Sequence, residues 1–350
     1  MKIHEKYIKR CIELAKKGLG TTRPNPMVGC VIVYKGRIIG EGYTSPYGSD
    51  HAEVNAIGSI KNKKLLKESV LYVSLEPCSH YGKTPPCANL ISEYAIPKVV
   101  IGVIDDNSLV SGKGIKHLQA NGCQVTVGVL EVECREINKR FFTFHTYKRP
   151  YIVLKWAETR DGFIDGIREE NSEKKPNWIS NKYSQQLVHK WRSEEQSILV
   201  GTNTVIADNP KLDVRKWTGE NPVRLVLDNS MRIPHDYHVF DGKTMTIIFT
   251  SSKSLFEEKE NVQVESIDYS KNVPGQICQV LFNNNIQSVI IEGGAQTLQS
   301  FISENLWDEA RIFIGDTVFN KGISAPEIEG ELVSMENIGS DILKIIKPLI

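Results

Sequence analysis

Several features are scarce in this 350-residue sequence, and each scarcity removes a class of protein. No apolar run approaches the roughly 20 residues needed to cross a bilayer, so no membrane segment is expected. The opening Met1-Lys2-Ile3-His4-Glu5 enters a polar helical pattern without the apolar core of a secretory signal. Excess charge is missing too. Forty-three Lys and Arg oppose 42 Asp and Glu, and a formal net charge of +1 leaves no basic footprint for nucleic acid. The seven cysteines form no paired framework: Cys11, Cys30, Cys123, Cys134 and Cys278 are scattered, as in chains kept reduced in the cytoplasm. The dinucleotide fingerprint G-x-G-x-x-G is absent, which disfavours the Rossmann fold. What remains is a soluble, cytoplasmic chain, 40% apolar and long enough for about two domains.

The stretch that organises the chain is His51-Ala52-Glu53, answered by Pro77-Cys78 and then Cys87. An imidazole and two thiolates are ligand types that select zinc, and three protein ligands leave a tetrahedral ion one open position. Glu53 is close enough to move protons there without being a ligand. H-x-E followed by P-C-x-x-C is the signature of zinc-dependent base deaminases, in which the glutamate is general acid and base. Here eight residues, Ser79 to Pro86, separate the cysteines where that pattern has two. The competing reading is a closed structural site, with His80 as fourth ligand, or simply buried cysteines. The carboxylate beside His51 favours catalysis.

Around this motif the pattern alternates β and α. A helix is expected from about His4 to Gly18, followed by a turn at Thr21 to Pro26. Strands are expected at Met27 to Val33, Arg37 to Gly42, Val70 to Leu75, Lys98 to Val103 and Gln124 to Gly128. Helices are expected at His51 to Ser59, Cys87 to Tyr94, Gly114 to Ala120 and Glu131 to Phe142. Phe144 to Pro150 breaks the pattern, which sets the expected domains at 1–146 and 147–350. In the second domain, strands are expected at Tyr151 to Trp156, Gln196 to Val200, Val223 to Leu227, Thr244 to Thr250, Ser288 to Glu292 and Arg311 to Ile314. Residues 161–177 read as a long polar loop. A helix capped by Ser180 runs to about Glu194, and another spans Pro274 to Asn283. Val200 to Pro210 reads as a strand ending in a polar loop. Ser288 to Leu298 reads as an apolar strand, a double glycine and a helix start, where a backbone can approach a phosphate closely. The tail from Glu331 to Ile350 alternates and adds a strand.

Arg23-Pro24-Asn25-Pro26-Met27-Val28-Gly29, the His51-Ala52-Glu53 triplet and Glu76 to Cys87 resemble the deaminase half of bifunctional riboflavin-biosynthesis deaminase–reductases. Leu154-Lys155-Trp156-Ala157, Asn177 to Ser180, Val200 to Pro210, Leu212 to Arg215 and Glu292-Gly293-Gly294 resemble their reductase half. The resemblance implies an α/β chain with a cytidine-deaminase-like α/β/α zinc domain and a dihydrofolate-reductase-like domain. It implies deamination of a diaminopyrimidine ribosylamino phosphate, then NADPH-dependent reduction of the ribosyl chain to ribityl. Zinc is implied at His51, Cys78 and Cys87, with Glu53 catalytic, and Asn25, Lys83 and Thr84 on the substrate. By the same resemblance Ala157, Trp178, Thr204, Asp208, Gly294, Ala295, Gln296, Thr297 and Leu298 bind NADPH. Arg192, Leu212, Arg215 and Glu292 bind the phosphoribosyl substrate, and a guanidinium fork suits a phosphate. Two positions depart from the family. Thr44 stands where members carry a pocket histidine, and Pro176 where they carry a serine. Lys155 and Asp208 are candidate proton donors.

The implied partner is this small molecule, with no nucleic acid and no membrane, in a homo-oligomer. Two rival readings are a nucleic-acid base deaminase and a zinc-stabilised nucleotide-binding protein with one or both activities lost. The first needs a basic groove with stacking aromatics, against which the near-neutral charge speaks.

Overall fold

The structure is a computed structural model that describes residues 2–81, 85–106, 110–168, 177–252 and 259–349. Its contacts divide the chain into two compact units, Met1–Lys148 and Arg149–Ile350.

The first unit runs α1 (Lys2–Ala15), β1 (Gly29–Tyr34), β2 (Arg37–Tyr43), α2 (Ala52–Gly58), β3 (Val70–Leu75), α3 (Cys87–Glu93), β4 (Lys98–Val103), α4 (Lys113–Ala120), β5 (Gln124–Val127), α5 (Glu131–Ile137) and α6 (Lys139–Tyr147). The strands form one sheet in the order β2-β1-β3-β4-β5. β1 is antiparallel to both neighbours, and β3, β4 and β5 are parallel. α1 and α5 pack on one face and α2, α3 and α4 on the other. Glycines set the closeness of this packing. A Cβ on Gly29 would lie 1.9 Å from the Cys11 carbonyl oxygen of α1. One on Gly42 would lie 2.4 Å from both the Ala52 oxygen and the Ala56 nitrogen of α2. Main chain therefore touches main chain, and α2 is seated by bare backbone.

The single helix expected to Phe142 is two helices, and the break expected at Phe144 is helical through Tyr147. The interruption falls at Asn138, whose carboxamide leaves the helix to accept from Met27 N and donate to Met27 O, both at 2.8 Å. α6 continues because Phe141, Phe142 and Phe144 are all buried.

The second unit runs β6 (Tyr151–Glu158), β7 (Phe163–Gly166), α7 (Lys182–Glu194), β8 (Ser197–Gly201), α8 (Thr202–Asp208), β9 (Val223–Leu227), β10 (Thr246–Thr250), β11 (Val262–Ser266), α9 (Val273–Asn283), β12 (Ser288–Gly293), α10 (Ala295–Ser303), β13 (Glu309–Ile314), β14 (Gly322–Ser324), β15 (Glu331–Ile338) and β16 (Asp341–Lys347). Its main sheet is ordered β11-β10-β9-β8-β12-β6-β13-β16-β15, parallel from β11 to β13 and closed by the antiparallel hairpin β15–β16. Parallel strands covered on both faces need apolar residues on both. Ile152, Leu154 and Trp156 of β6 join α9 and α10 in one core, while Tyr151 and Val153 join α7 and α8 in the other.

Four expectations change here. The cap of α7 is Asn181, whose Oδ1 accepts from Tyr183 N and Ser184 N, so the helix begins one residue beyond a Ser180 cap. Residues 202–208 are helix α8 rather than polar loop, anchored by buried Val205. The loop expected over 161–177 contains β7, which pairs with β14. The tail contributes two strands, not one. The family departure at Pro176 lies outside the described residues.

Candidate functional site

In the first unit, antiparallel pairing brings the start of β1 and the ends of β2 and β3 to one edge of the sheet. Gly29 pairs with Tyr43, and its N–H donates to Ser74 Oγ at 3.1 Å. Onto this edge α2 delivers His51, its N-cap residue, and Glu53. β3 ends in Glu76-Pro77-Cys78, and α3 begins at Cys87.

The ligand atoms of His51, Cys78 and Cys87 lie within 4.8 Å of one another. His51 Nδ1 is 3.6 Å from Cys78 Sγ and 3.4 Å from Cys87 Sγ. A tetrahedral zinc with ordinary Zn–S and Zn–N lengths sets its sulfur and nitrogen ligands about 3.6 Å apart, so the spacing fits the ion and selects Nδ1 as donor. The Cys87 N–H donates to Cys78 Sγ at 3.3 Å. Hydrogen bonding from Cys87 and, against burial, from His51 lowers the Cys78 thiol below its ordinary range. Exposed His80 does not join this group of three, which keeps the fourth position free of protein among the described residues. Glu53 is 3% exposed, and burial, then the neighbouring Cys78 sulfur, pushes its carboxyl up to about 7.

Glu76, directly after β3, braces the motif. Its Oε1 accepts from Gly114 N at 3.0 Å and Ile115 N at 3.3 Å, and its Oε2 from Gly112 N at 3.0 Å and Asp105 N at 3.4 Å. Four main-chain donors on one buried carboxylate tie the start of α4 to the segment carrying Cys78. A carboxylate directly after an apolar strand is the only sequence signal of this. Asn25 sits half-buried in the turn before β1, closed by Asn25 N donating to Thr22 O, on the same sheet edge. Thr44 is buried and its hydroxyl accepts from Val28 N at 3.0 Å, so it closes the strand ends rather than standing free. Lys83 and Thr84 lie outside the described residues.

In the second unit a cleft of about 1170 Å³ opens at the carboxyl ends of β6, β8 and β12. Its walls bring together Ala157, Trp178, Thr204, Asp208 and Gly294 to Leu298 with Arg192, Leu212, Arg215 and Glu292. Gly293 has φ +145°, a region open to glycine, and a Cβ on Gly201 would sit 2.7 Å from Thr297 Oγ1. The end of β8 thus packs its bare backbone against the Thr297 side chain of α10.

Charges in the cleft are largely paired. Arg192 grips Glu292 through Nε and Nη2, both at 2.7 Å, and Lys155 Nζ is 3.8 Å from the same carboxylate. Burial would raise Glu292, but Arg192 and Lys155 outweigh it and hold the carboxyl near 2. The fork expected to face a phosphate therefore faces a carboxylate. Asp208 is likewise committed to Arg168 at 2.7 Å, and Arg168 also holds Asp165 at 2.8 Å. His189, a second unassigned cleft residue, accepts from Arg215 N through Nδ1 at 3.3 Å. Burial, then Arg192 and Arg215, push it down to about 4.

Comparison with known proteins matches residues 1–103 to the cytidine and deoxycytidylate deaminase zinc-binding region and residues 150–343 to the RibD C-terminal domain. The riboflavin biosynthesis protein RibD of Aquifex aeolicus is 38% identical, covering 99% of this chain and 98% of its own. That of Bacillus amyloliquefaciens is also 38% identical, covering 94% and 89%. The solved deaminase/reductase of Thermotoga maritima superposes with a TM-score of 0.89 at 37% identity, over 99% of each chain. The chain belongs to the RibD family. RibD-family chains combine a zinc-binding deaminase domain with an NADPH-dependent reductase domain, and both halves are present here. The two rival readings are not favoured, because the RibD likeness spans both units.

Proposed function

We propose that the first unit hydrolytically deaminates 2,5-diamino-6-(5-phosphoribosylamino)pyrimidin-4-one and that the second reduces the ribosyl chain of the product with NADPH. The observation that carries this reading is the trio His51, Cys78 and Cys87 at zinc spacing beside buried Glu53, in a chain with RibD likeness from end to end. Zinc held there supplies the Lewis acidity that lets water ionise near neutral pH. Glu53 takes the proton of the attacking water and returns it to the amine that leaves as ammonia. Asn25, on the same sheet edge, and Lys83 and Thr84 hold the substrate.

In the second unit NADPH supplies the hydride, and the protein aligns it with the opened ribose carbonyl. Gly293 and Gly294 leave the backbone before α10 without side chains, and the amino end of that helix would favour the phosphates of NADPH held there. Ala157, Trp178, Thr204, Asp208 and the loop from Gly294 to Leu298 form the cofactor wall; Arg192, Leu212, Arg215 and Glu292 form the substrate wall. Lys155, buried against Glu292, and Asp208 remain the candidate proton donors.

The enzyme works in the cytoplasm, without nucleic acid or membrane, as a homo-oligomer. The five cysteines outside the zinc trio, none in a disulfide, support the compartment, and no helix among the described residues is long and apolar enough to cross a membrane. Assembly is supported by β15, an edge strand that exposes Leu332, Val333 and Met335. The direct test is ammonia release by Glu53→Gln. Zinc should stay near wild-type stoichiometry while the rate falls roughly 10²- to 10⁴-fold, and wild-type release would remove Glu53 from the mechanism.

A further inference from the structure

NADPH differs from NADH by one phosphate on the adenosine ribose. A site that distinguishes them needs a cation not already neutralised by the protein. Six cations line the cleft: Lys155, Arg168, Arg192, Lys211, Arg215 and Arg232. Lys155 and Arg192 share Glu292, Arg168 holds Asp165 and Asp208, and Arg215 pairs with Asp213. Among the described residues only Lys211 and Arg232 of these six lack a carboxylate partner.

The two differ in how they are built. Lys211 follows Pro210 as an exposed side chain with no hydrogen bond among the described residues. Arg232 is fixed at root and tip. Its backbone N–H donates to Asp228 Oδ1 at 3.0 Å, and the next residue, Ile233, donates to Asp228 Oδ2 at 2.9 Å. Asp228 is fully buried directly after β9. At the other end Arg232 Nη2 donates to Asn203 Oδ1 at 3.0 Å. A neutral amide orients the guanidinium without cancelling its charge, and the group is exposed on the cleft wall.

Its position in the sheet completes the argument. β12 lies between β6 on one side and β8, then β9, on the other. The cleft lined by Ala157 of β6 and by Gly294 to Leu298 is also lined by Leu227, the last residue of β9, and by Arg232 beyond it, so a dinucleotide held along the cleft from β6 would reach the end of β9. A guanidinium beside the adenosine ribose suits a 2′-phosphate, which its planar fork can bind through two charge-assisted hydrogen bonds. We propose that Arg232 binds the 2′-phosphate of NADPH and sets the preference for NADPH over NADH. This rests on the assignment of the cleft to the cofactor.

The test is calorimetric binding of 2′,5′-ADP and of 5′-ADP to full-length wild type and Arg232→Gln, with reductase kinetics on NADPH and NADH. Losing a charged hydrogen-bond donor should weaken 2′,5′-ADP by roughly 10- to 100-fold. Binding of 5′-ADP should not change. The KM for NADPH should rise with little change in kcat, the KM for NADH should stay constant, and Arg232→Lys should recover part of the loss. Equal weakening of both nucleotides, or an unchanged NADPH-to-NADH ratio in a wild type that prefers NADPH, overturns the role of Arg232. A wild type that oxidises neither dinucleotide with the deaminated substrate overturns the cofactor assignment itself.

Discussion

Glu53 and His189 are two buried titratable side chains pushed in opposite directions. Glu53 is raised by burial and then by the sulfur of Cys78. His189 is lowered from 6.5 to about 4 by burial and by Arg192 and Arg215. Between those values the unfolded chain binds a proton at this position and the folded chain does not. Folding stability therefore rises with pH across that window and is lost as pH falls from 6.5 toward 4. Thermal unfolding followed from pH 4 to pH 7 should show a shallower slope in His189→Asn than in wild type. Equal slopes would mean that His189 titrates alike in both states. Neither effect is readable from composition, because burial is the largest cause of each and is set by the fold.

Single elements were legible where local pattern and burial agree. The bounds of β3, β4 and β9 coincide with their apolar runs, because both faces of these strands are covered. Legibility failed where a side chain distant in sequence decides the backbone. Asn138 leaves its helix to satisfy Met27, and nothing near position 138 announces it. α8 carries polar Thr202, Asn203, Thr204 and Asp208 around one buried valine, so it imitates a loop. The gathering of His51, Cys78 and Cys87 was legible because ligand chemistry restricts residue types. The commitment of Arg192 to Glu292 and of Asp208 to Arg168 was not, because ion pairing depends on three-dimensional neighbours. The seating of α2 yields a prediction at this scale. Gly42→Val drives methyls into the backbone at Ala52 and Ala56, and overpacking of this kind costs about 1–3 kcal/mol or more. The variant should lose bound zinc and ammonia release while still oxidising NADPH with the deaminated substrate. Full zinc content with wild-type ammonia release would show that α2 tolerates the displacement.

At the scale of the whole molecule, two α/β units each present a site at the carboxyl ends of parallel strands, where such sheets place their ligands. Cys78 follows β3, and the cleft of the second unit opens after β8 and β12. The exposed apolar side chains of β15 belong to this scale as well. Leu332→Asp with Met335→Asp should lower the mass measured by light scattering after size exclusion to that of one 39.4 kDa chain. An unchanged mass would place any interface elsewhere.

The order of the two reactions is tested most directly in one cuvette. Zinc-loaded full-length protein is given the diaminopyrimidine ribosylamino phosphate and NADPH, and ammonia and NADPH absorbance are followed together. Ammonia should appear first and NADPH should fall after it. In Glu53→Gln both signals should stay flat until the deaminated uracil is supplied, and NADPH should then be consumed at the wild-type rate. NADPH consumption by Glu53→Gln on the undeaminated substrate would contradict that order.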